Sequence, residues 1–393
     1  MFYKGKIELK PKKHYMKCDI NLSYIIKSEI SELIVLLHKD VIIDSIVSND
    51  LKGYIVSEEL SKDCPFVLEA KRVILTLKQT LKAEDKLSID FHYYGQIHIV
   101  TQWGVNRIDE TFCELGLYTP WFPLLTTLPE ATFDIDIEIP NEYTIINGYK
   151  ISKEQKTYHI HQDTPHNDCS FLAFKNTKIY GDDHIKIYYF IGQENIAKSL
   201  FEAATKFFHY FVGLFGQVEM DKHLSFALPP REDGGGYSRK GLIVLNLKDD
   251  DMQKYFPYIG HEIAHLWWNK ANVNSWEDWL NESFAEYSSL VANRNLYSID
   301  EFSKKIKKYI DDTNDLPKIK GISRSDDLAH SVLYKKGPIL LYQLESIIGE
   351  TAFIALLKTM HSEKIINTKE FLDLLKKEHG KEMSDQFESW LDQ

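Results

Sequence analysis

The chain is 393 residues long, 44% hydrophobic and 27% charged, which suggests two or three domains and is enough for a sizeable core. A formal net charge of −11 argues against nucleic acid as a partner, because backbone binding needs a basic surface. The opening MFYKGKIELKPKKHY lacks an apolar stretch before a small-residue cleavage site, no apolar run approaches membrane-spanning length, and Cys18, Cys64, Cys113 and Cys169 form no CxxC pair, so a cytoplasmic chain with reduced thiols and no membrane contact is expected.

About the first 190 residues read as strands. From Thr132 to Ile139, Phe133, Ile135, Ile137 and Ile139 alternate with Asp134, Asp136 and Glu138, which predicts one buried and one wet face. Similar runs are ELIVLL (Glu32 to Leu37), RVILTL (Arg72 to Leu77), KLSIDF (Lys86 to Phe91) and HIKIYYF (His184 to Phe190), with turn signals such as Asn147-Gly148 and Asp182-Asp183 between them. After Gly192 the period becomes helical: Ile196, Leu200, Ala203, Phe207, Tyr210 and Phe211 recur along Glu194 to Phe215. Two short strands follow, HLSFAL (His223 to Leu228) and GLIVLN (Gly241 to Asn246), around a loop holding Gly234, Gly235 and Gly236, and helical pattern dominates from Asp250 onward. The fold class is α+β, with an antiparallel β-domain over residues 1–190 and a mainly helical domain over 191–393.

The segment HEIAHLWW begins at His261. On a helix, His261 and His265 lie one above the other and can aim neutral imidazoles at a single ion, while Glu262 stands beside it as a proton acceptor. Catalytic zinc takes three protein ligands and keeps one position open. Downstream, SWEDWLNESFAEY opens with Ser275 and Asp278 in a pattern suited to a capped helix start, and that helix would return Glu282 to the ion as third ligand. Glu286, one turn further, either accepts the other N–H of a ligating histidine or is a plain solvated helix residue. Trp267 and Trp268 suit packing between the two helices, and Lys335 and Lys336 read as helix-surface charges.

HEIAH followed by WLNESFAEY resembles the gluzincin zinc metallopeptidases of the aminopeptidase N and leukotriene hydrolase family. LYKKGPILLYQLESIIGETAF (Leu333 to Phe353) is similar to the family's YxKG segment, whose tyrosine stabilises the transition state; the resemblance places that role on Tyr334. GGGYSRKGLIVLN falls where the family carries its GxMEN loop, and YTPWFPL with ATFDIDIEIPNEYTIINGYK resembles the end of its N-terminal sheet domain. The resemblance implies a thermolysin-like catalytic domain, one zinc per chain, a peptide substrate against Gly234, Gly235, Gly236 and Ser238, and an extended peptide paired with Gly241 to Asn246.

Three departures qualify it. The interval from His265 to Glu282 is two residues shorter than the family's, Ser238 replaces the glutamate that anchors a substrate's amino group, and the sequence ends at Gln393 without the long C-terminal helical domain of larger members. An aminopeptidase, an endopeptidase with an open cleft, and an inactive peptide-binding protein all remain open. His330, Glu114 and Gln102 are further polar candidates, and Glu232 and Asp233 are nearby acids available in place of the missing glutamate.

Overall fold

The computed structural model describes residues 1–98, 106–220, 222–232 and 235–393. The chain forms two compact units. One comprises Met1–Ile179, Tyr188–Gly192 and Met220–Gly235; the other comprises Tyr180–Ile187, Gln193–Glu219 and Gly236–Gln393.

Three sheets lie wholly within the first unit. The largest has seven strands in the order Lys150–Glu154, Thr157–His166, Ala131–Glu138, Phe2–Lys10, Tyr15–Ile25, Lys86–Gln96 and Val41–Val47. A second holds Leu124–Leu125, Ile30–His38, Ala70–Leu81 and Leu51–Leu60, and a third Tyr143–Ile146, Phe171–Lys175, Phe112–Leu115 and Arg107–Ile108. Alternation along Ala131–Glu138 matches its burial, with Ala131, Phe133, Ile135 and Ile137 inside. Among the described residues of these three sheets one pairing is not antiparallel: Phe2–Lys10 runs parallel to Ala131–Glu138, from Phe2 opposite Thr132 to Glu8 opposite Glu138. No local pattern announces that pairing. Tyr3, Phe122 and Phe133 pack beneath it with ring centroids 5.0–5.4 Å apart.

The second unit is mainly helical. Its elements are α1 (Glu194–Phe215), α2 (Met252–Ala264), α3 (Trp279–Leu296), α4 (Ile299–Thr313), a short α5 (Ala329–Ser331), α6 (Gly337–Ile348), α7 (Glu350–Ser362), α8 (Thr368–His379) and α9 (Lys381–Leu391). A hairpin of Tyr237–Arg239 and Leu242–Val244 precedes α2. Helix α1 buries Leu200, Phe207, Phe211 and Phe215 on one face. Trp267 and Trp268 pack against that face and α3, each giving its indole N–H to an acceptor, Gly216 O and Ser288 Oγ. Burying a side chain of this size stabilises by roughly 1.5–3 kcal/mol.

Helix α3 is central and buried on most of its surface, so its polar residues need partners. They have them: Ser283 donates to Leu333 O at 2.7 Å, Ser289 to Pro257 O at 2.6 Å, and Tyr287 to the Glu345 carboxylate. These bonds tie α3 to α2, to the turn before α6 and to α6 itself. Glu282 and Glu286 ride on that anchored helix.

Candidate metal centre

Ser275 caps a 3-10 turn, Trp276–Asp278, rather than α3 itself; its Oγ accepts from Glu277 N. Helix α3 then begins at Trp279 and carries Glu282 in its first turn. Asn281 fastens the loop after α2 by bonding both the N–H and the carbonyl of Ala271, at 3.1 and 3.0 Å.

His261 Nε2 and His265 Nε2 lie 3.1 Å apart, and each is 3.4 Å from Glu282 Oε2. The far side of each imidazole is held. His261 Nδ1 is 3.0 Å from Glu286 Oε2, and His265 Nδ1 is 2.9 Å from the Trp268 carbonyl. With both Nδ1 atoms donating outward, both Nε2 lone pairs face Glu282. Tyr309 on α4 donates to the other oxygen of Glu286 at 2.5 Å. Glu286 is therefore buried and shared between two donors, not a solvated helix residue.

The donor set suits zinc. Zn–N and Zn–O bonds of about 2.0–2.2 Å put neighbouring ligands of a tetrahedral site roughly 3.3–3.5 Å apart, close to the separations here. Glu282 Oε2 is buried without a hydrogen-bond donor, as an atom reserved for a cation would be. His261, His265 and Glu282 thus fit that ion.

Around them the electrostatics are divided. Burial pushes the Glu262 carboxyl above its ordinary range, against the opposing pull of His261, His265 and Arg239. Burial acts on Glu282 in the same direction, but the two imidazoles outweigh it and hold that carboxylate well below its ordinary range. Tyr334 lies on a π-helical turn, Val332–Lys336, between α5 and α6, with its ring stacked 5.4 Å from His261. Burial, then the Glu282 carboxylate, raise its hydroxyl well above ordinary, so it stays protonated and able to donate. The turn sits tight on α3: a Cβ at Gly337 would collide with Ser283 Oγ and stand 2.6 Å from Ser283 Cβ.

His330 joins this group, stacked 4.2 Å from Tyr334. Ser238 is partly buried in the hairpin opposite Ile243, and Gly236 lies against the Tyr258 hydroxyl of α2. Gly235 is exposed, and its carbonyl accepts from Arg231 at 2.9 Å. Gly234, Asp233 and Gln102 lie outside the described residues. Glu114 is fully buried in the β-rich unit with Arg231 Nε at 3.1 Å, and Glu232 is exposed. Lys335 pairs with Asp312 at 2.8 Å, whereas Lys336 is not a surface charge: it donates to the carbonyls of Leu316, Pro317 and Gln393.

Sequence reasoning missed three residues, each brought in from far along the chain. They are Tyr309, Arg239 and Arg324, whose Nε is 3.2 Å from the buried Asp278 carboxylate. No spacing rule links them to HEIAH.

A helix supplying two histidines, followed by a helix supplying a glutamate, defines the class of gluzincin-type metal centres. Residues 237–390 match the family model described as the Peptidase family M1 domain. The chain is similar to Aminopeptidase N of Lactococcus lactis subsp. lactis, 26% identical over 306 residues covering 67% of this chain and 36% of that protein. It is also similar to the mitochondrial Aminopeptidase 2 of Saccharomyces cerevisiae, 23% identical over 319 residues covering 70% and 31% respectively. The chain thus spans about a third of the length of these curated relatives. In fold it resembles the M1 zinc metallopeptidase of Deinococcus radiodurans, with a TM-score of 0.72 and 15% identity over 100% of this chain and 93% of that one. Leukotriene A4 hydrolase of Saccharomyces cerevisiae has a TM-score of 0.76 and 16% identity over 100% and 67% respectively. Among the described residues no helix is long and apolar enough to cross a membrane.

Proposed function

We propose that the chain is a zinc-dependent peptidase of aminopeptidase type, with His261, His265 and Glu282 as metal ligands, Glu262 as general base and Tyr334 as oxyanion donor. The observation that carries this reading is the meeting of three donor atoms 3.1–3.4 Å apart beside the buried Glu262 and the stacked Tyr334. Zinc bound there supplies Lewis acidity, which lowers the pKa of a water and polarises the scissile carbonyl. Glu262 accepts the water's proton at its carboxylate and returns it to the departing amine; burial makes it a stronger base than an ordinary glutamate. Tyr334 donates a hydrogen bond to the carbonyl oxygen, one that strengthens as negative charge develops there. Glu286 positions His261, and Tyr309 positions Glu286.

The catalytic part is assigned to about residues 191–393, and every residue named for the chemistry lies in the second unit. The substrate is a peptide, extended along Leu242–Val244 with Gly236 and Ser238 beside it. The aminopeptidase mode follows the relatives' names, although Ser238 offers no charge for a free amino group. Cys18, Cys64, Cys113 and Cys169 are buried, and thiols kept from solvent and oxidant suit a reducing, cytoplasmic setting.

A peptide mixture with free and N-acetylated members, read by mass spectrometry, tests the assignment. Stepwise trimming of free peptides that stops in Glu262→Gln, with zinc retained, is the expected result. Internal cleavage of acetylated peptides would overturn the aminopeptidase mode, and undiminished hydrolysis in Glu262→Gln would overturn the base.

A further inference from the structure

In the β-rich unit, three side chains distant in sequence meet at one end of the inner strands of the seven-stranded sheet. His14 lies in the turn between Phe2–Lys10 and Tyr15–Ile25, His98 follows Lys86–Gln96, and Asp109 follows Arg107–Ile108. His14 Nδ1 is 3.1 Å from Asp109 Oδ1, and His98 Nδ1 is 3.3 Å from the same oxygen. The two imidazole centroids are 4.5 Å apart. The Ile108 carbonyl oxygen adds a fourth polar atom, 2.7 Å from His14 Nδ1. The two imidazole–carboxylate separations fall close to the 3.1–3.4 Å found between His261, His265 and Glu282, whereas the shorter 2.7 Å is that of a hydrogen bond the carbonyl accepts when His14 Nδ1 is protonated. Neighbouring ligands of a metal with bonds of about 2.0–2.2 Å stand roughly 3 Å apart in octahedral geometry and slightly more in tetrahedral.

Backbone bonds hold the three segments together before any ion arrives. Ile97 N donates to His14 O at 3.1 Å, Ile108 N to Ile97 O at 2.9 Å, and His98 bridges to Arg107 as a paired strand residue. Gln96 Nε2 adds a bond to the Lys13 carbonyl at 2.9 Å. His14 itself has φ 53°, a left-handed conformation at the end of the 3-10 turn Pro11–Lys13, with its N–H on the Pro11 carbonyl. That backbone state sets where the ring points. Arg107 Nε faces Asp109 Oδ2 at 3.4 Å, leaving Oδ1 to the imidazoles and orienting the carboxylate from outside. All three side chains are partly exposed, so water can fill the remaining coordination positions.

Imidazole, carboxylate and carbonyl donors together suit zinc, cobalt and nickel rather than calcium. The cluster of His38, Asp40 and Glu69 differs, because its two carboxylates face opposite ring nitrogens of His38, Asp40 Oδ2 at 3.9 Å from Nδ1 and Glu69 Oε2 at 3.4 Å from Nε2. We propose that His14, His98 and Asp109, completed by the Ile108 carbonyl, bind one zinc ion as a structural clip of the β-rich unit. The clip joins residues 84 and 95 positions apart in the chain.

Equilibrium dialysis of the full chain against zinc, with metal analysis, tests this independently of the peptidase reading. The wild type is expected to hold two zinc ions, and His98→Ala and Asp109→Asn one. His265→Ala should keep the second ion, and its melting temperature should rise with added zinc, a rise that disappears in His265→Ala/His98→Ala. Because the His98 side chain is half exposed, its alanine variant should melt like wild type in chelator; if it does not fold, Asp109→Asn carries the reading. An undiminished zinc count in a folded His98→Ala or Asp109→Asn variant would overturn the proposal, as would a His265→Ala chain that binds no zinc. If instead His265→Ala matches wild type in zinc while His98→Ala loses one ion, the clip stands and the metal centre at His261 falls.

Discussion

Glu286→Gln removes one charge at nearly constant shape, and its effect can be worked out from two bonds. The carboxylate accepts from His261 Nδ1 at 3.0 Å and from the Tyr309 hydroxyl at 2.5 Å. A glutamine keeps one accepting oxygen and turns an NH2 toward the other donor, so either the imidazole or the phenol loses its acceptor. A buried donor left unpaired costs about 1–3 kcal/mol. At 1.4 kcal/mol per factor of ten, the expected loss of zinc affinity is roughly 10–100-fold, the range seen when an outer partner of a metal-ligating histidine is changed. Chelator competition with a zinc-sensitive dye measures it directly. Tyr309→Phe leaves the carboxylate on His261 and should cost less than about tenfold. The double variant should bind zinc no better than Glu286→Gln alone, because the phenol oxygen can accept from the glutamine NH2 and its loss leaves that NH2 unpaired. Zinc affinity in a folded Glu286→Gln chain within twofold of wild type would refute this account of how His261 is held.

Tyr334→Phe should retain zinc and lower kcat by about 10²–10³, as loss of one oxyanion donor does; unchanged turnover would remove the tyrosine from the chemistry. Gly337→Ala should destabilise by about 1–3 kcal/mol in urea melts, since the new methyl meets Ser283 Cβ, which the helix cannot move. It should also lower kcat by displacing the turn that carries Tyr334, and a neutral result would mean α3 yields there. Burial raises the Asp278 carboxyl to about 7 in the folded chain against 3.8 for the ordinary group, so between those pH values the folded state holds the extra proton. Through this residue stability falls as pH rises from about 4 to 7, by on the order of 1 kcal/mol per pH unit at most, and Asp278→Asn in chelator should remove that share of the slope. Parallel stability–pH curves for the two chains would contradict the shift.

The legible parts of this molecule are those that repeat over short distances. Alternation along Ala131–Glu138 and helical spacing along Glu194–Phe215 announce their elements because each residue's face follows from its own position. HEIAH belongs to this kind, since i and i+4 share a helix face whatever else the chain does. Tyr334 comes only through family resemblance: it stands on a π-turn, which no hydrophobic period marks. Tyr309, Arg239 and Arg324 reach the site by tertiary packing alone. Ser275 shows a smaller failure of the same sort, because an N-cap signal does not say whether a 3-10 turn or an α-helix follows. Lys336 reads as a solvated charge in the sequence, but three oxygen acceptors from distant segments hold its ammonium in place.

The parallel pairing of Phe2–Lys10 has a consequence for synthesis. This strand lies inside the seven-stranded sheet, between Tyr15–Ile25, made moments later, and Ala131–Glu138, made long afterwards. At roughly 5–20 residues per second on the ribosome, about 6–26 seconds separate the strand from its second neighbour. Through that interval one edge of Phe2–Lys10 offers unpaired N–H and C=O groups, and Tyr3 lacks the Phe133 ring it later stacks on. The nascent chain therefore carries a sticky edge near its start for most of the time the β-rich unit is being made. A chaperone that covers extended segments, or slowed translation beyond residue 138, would act on that window and leave the finished fold untouched.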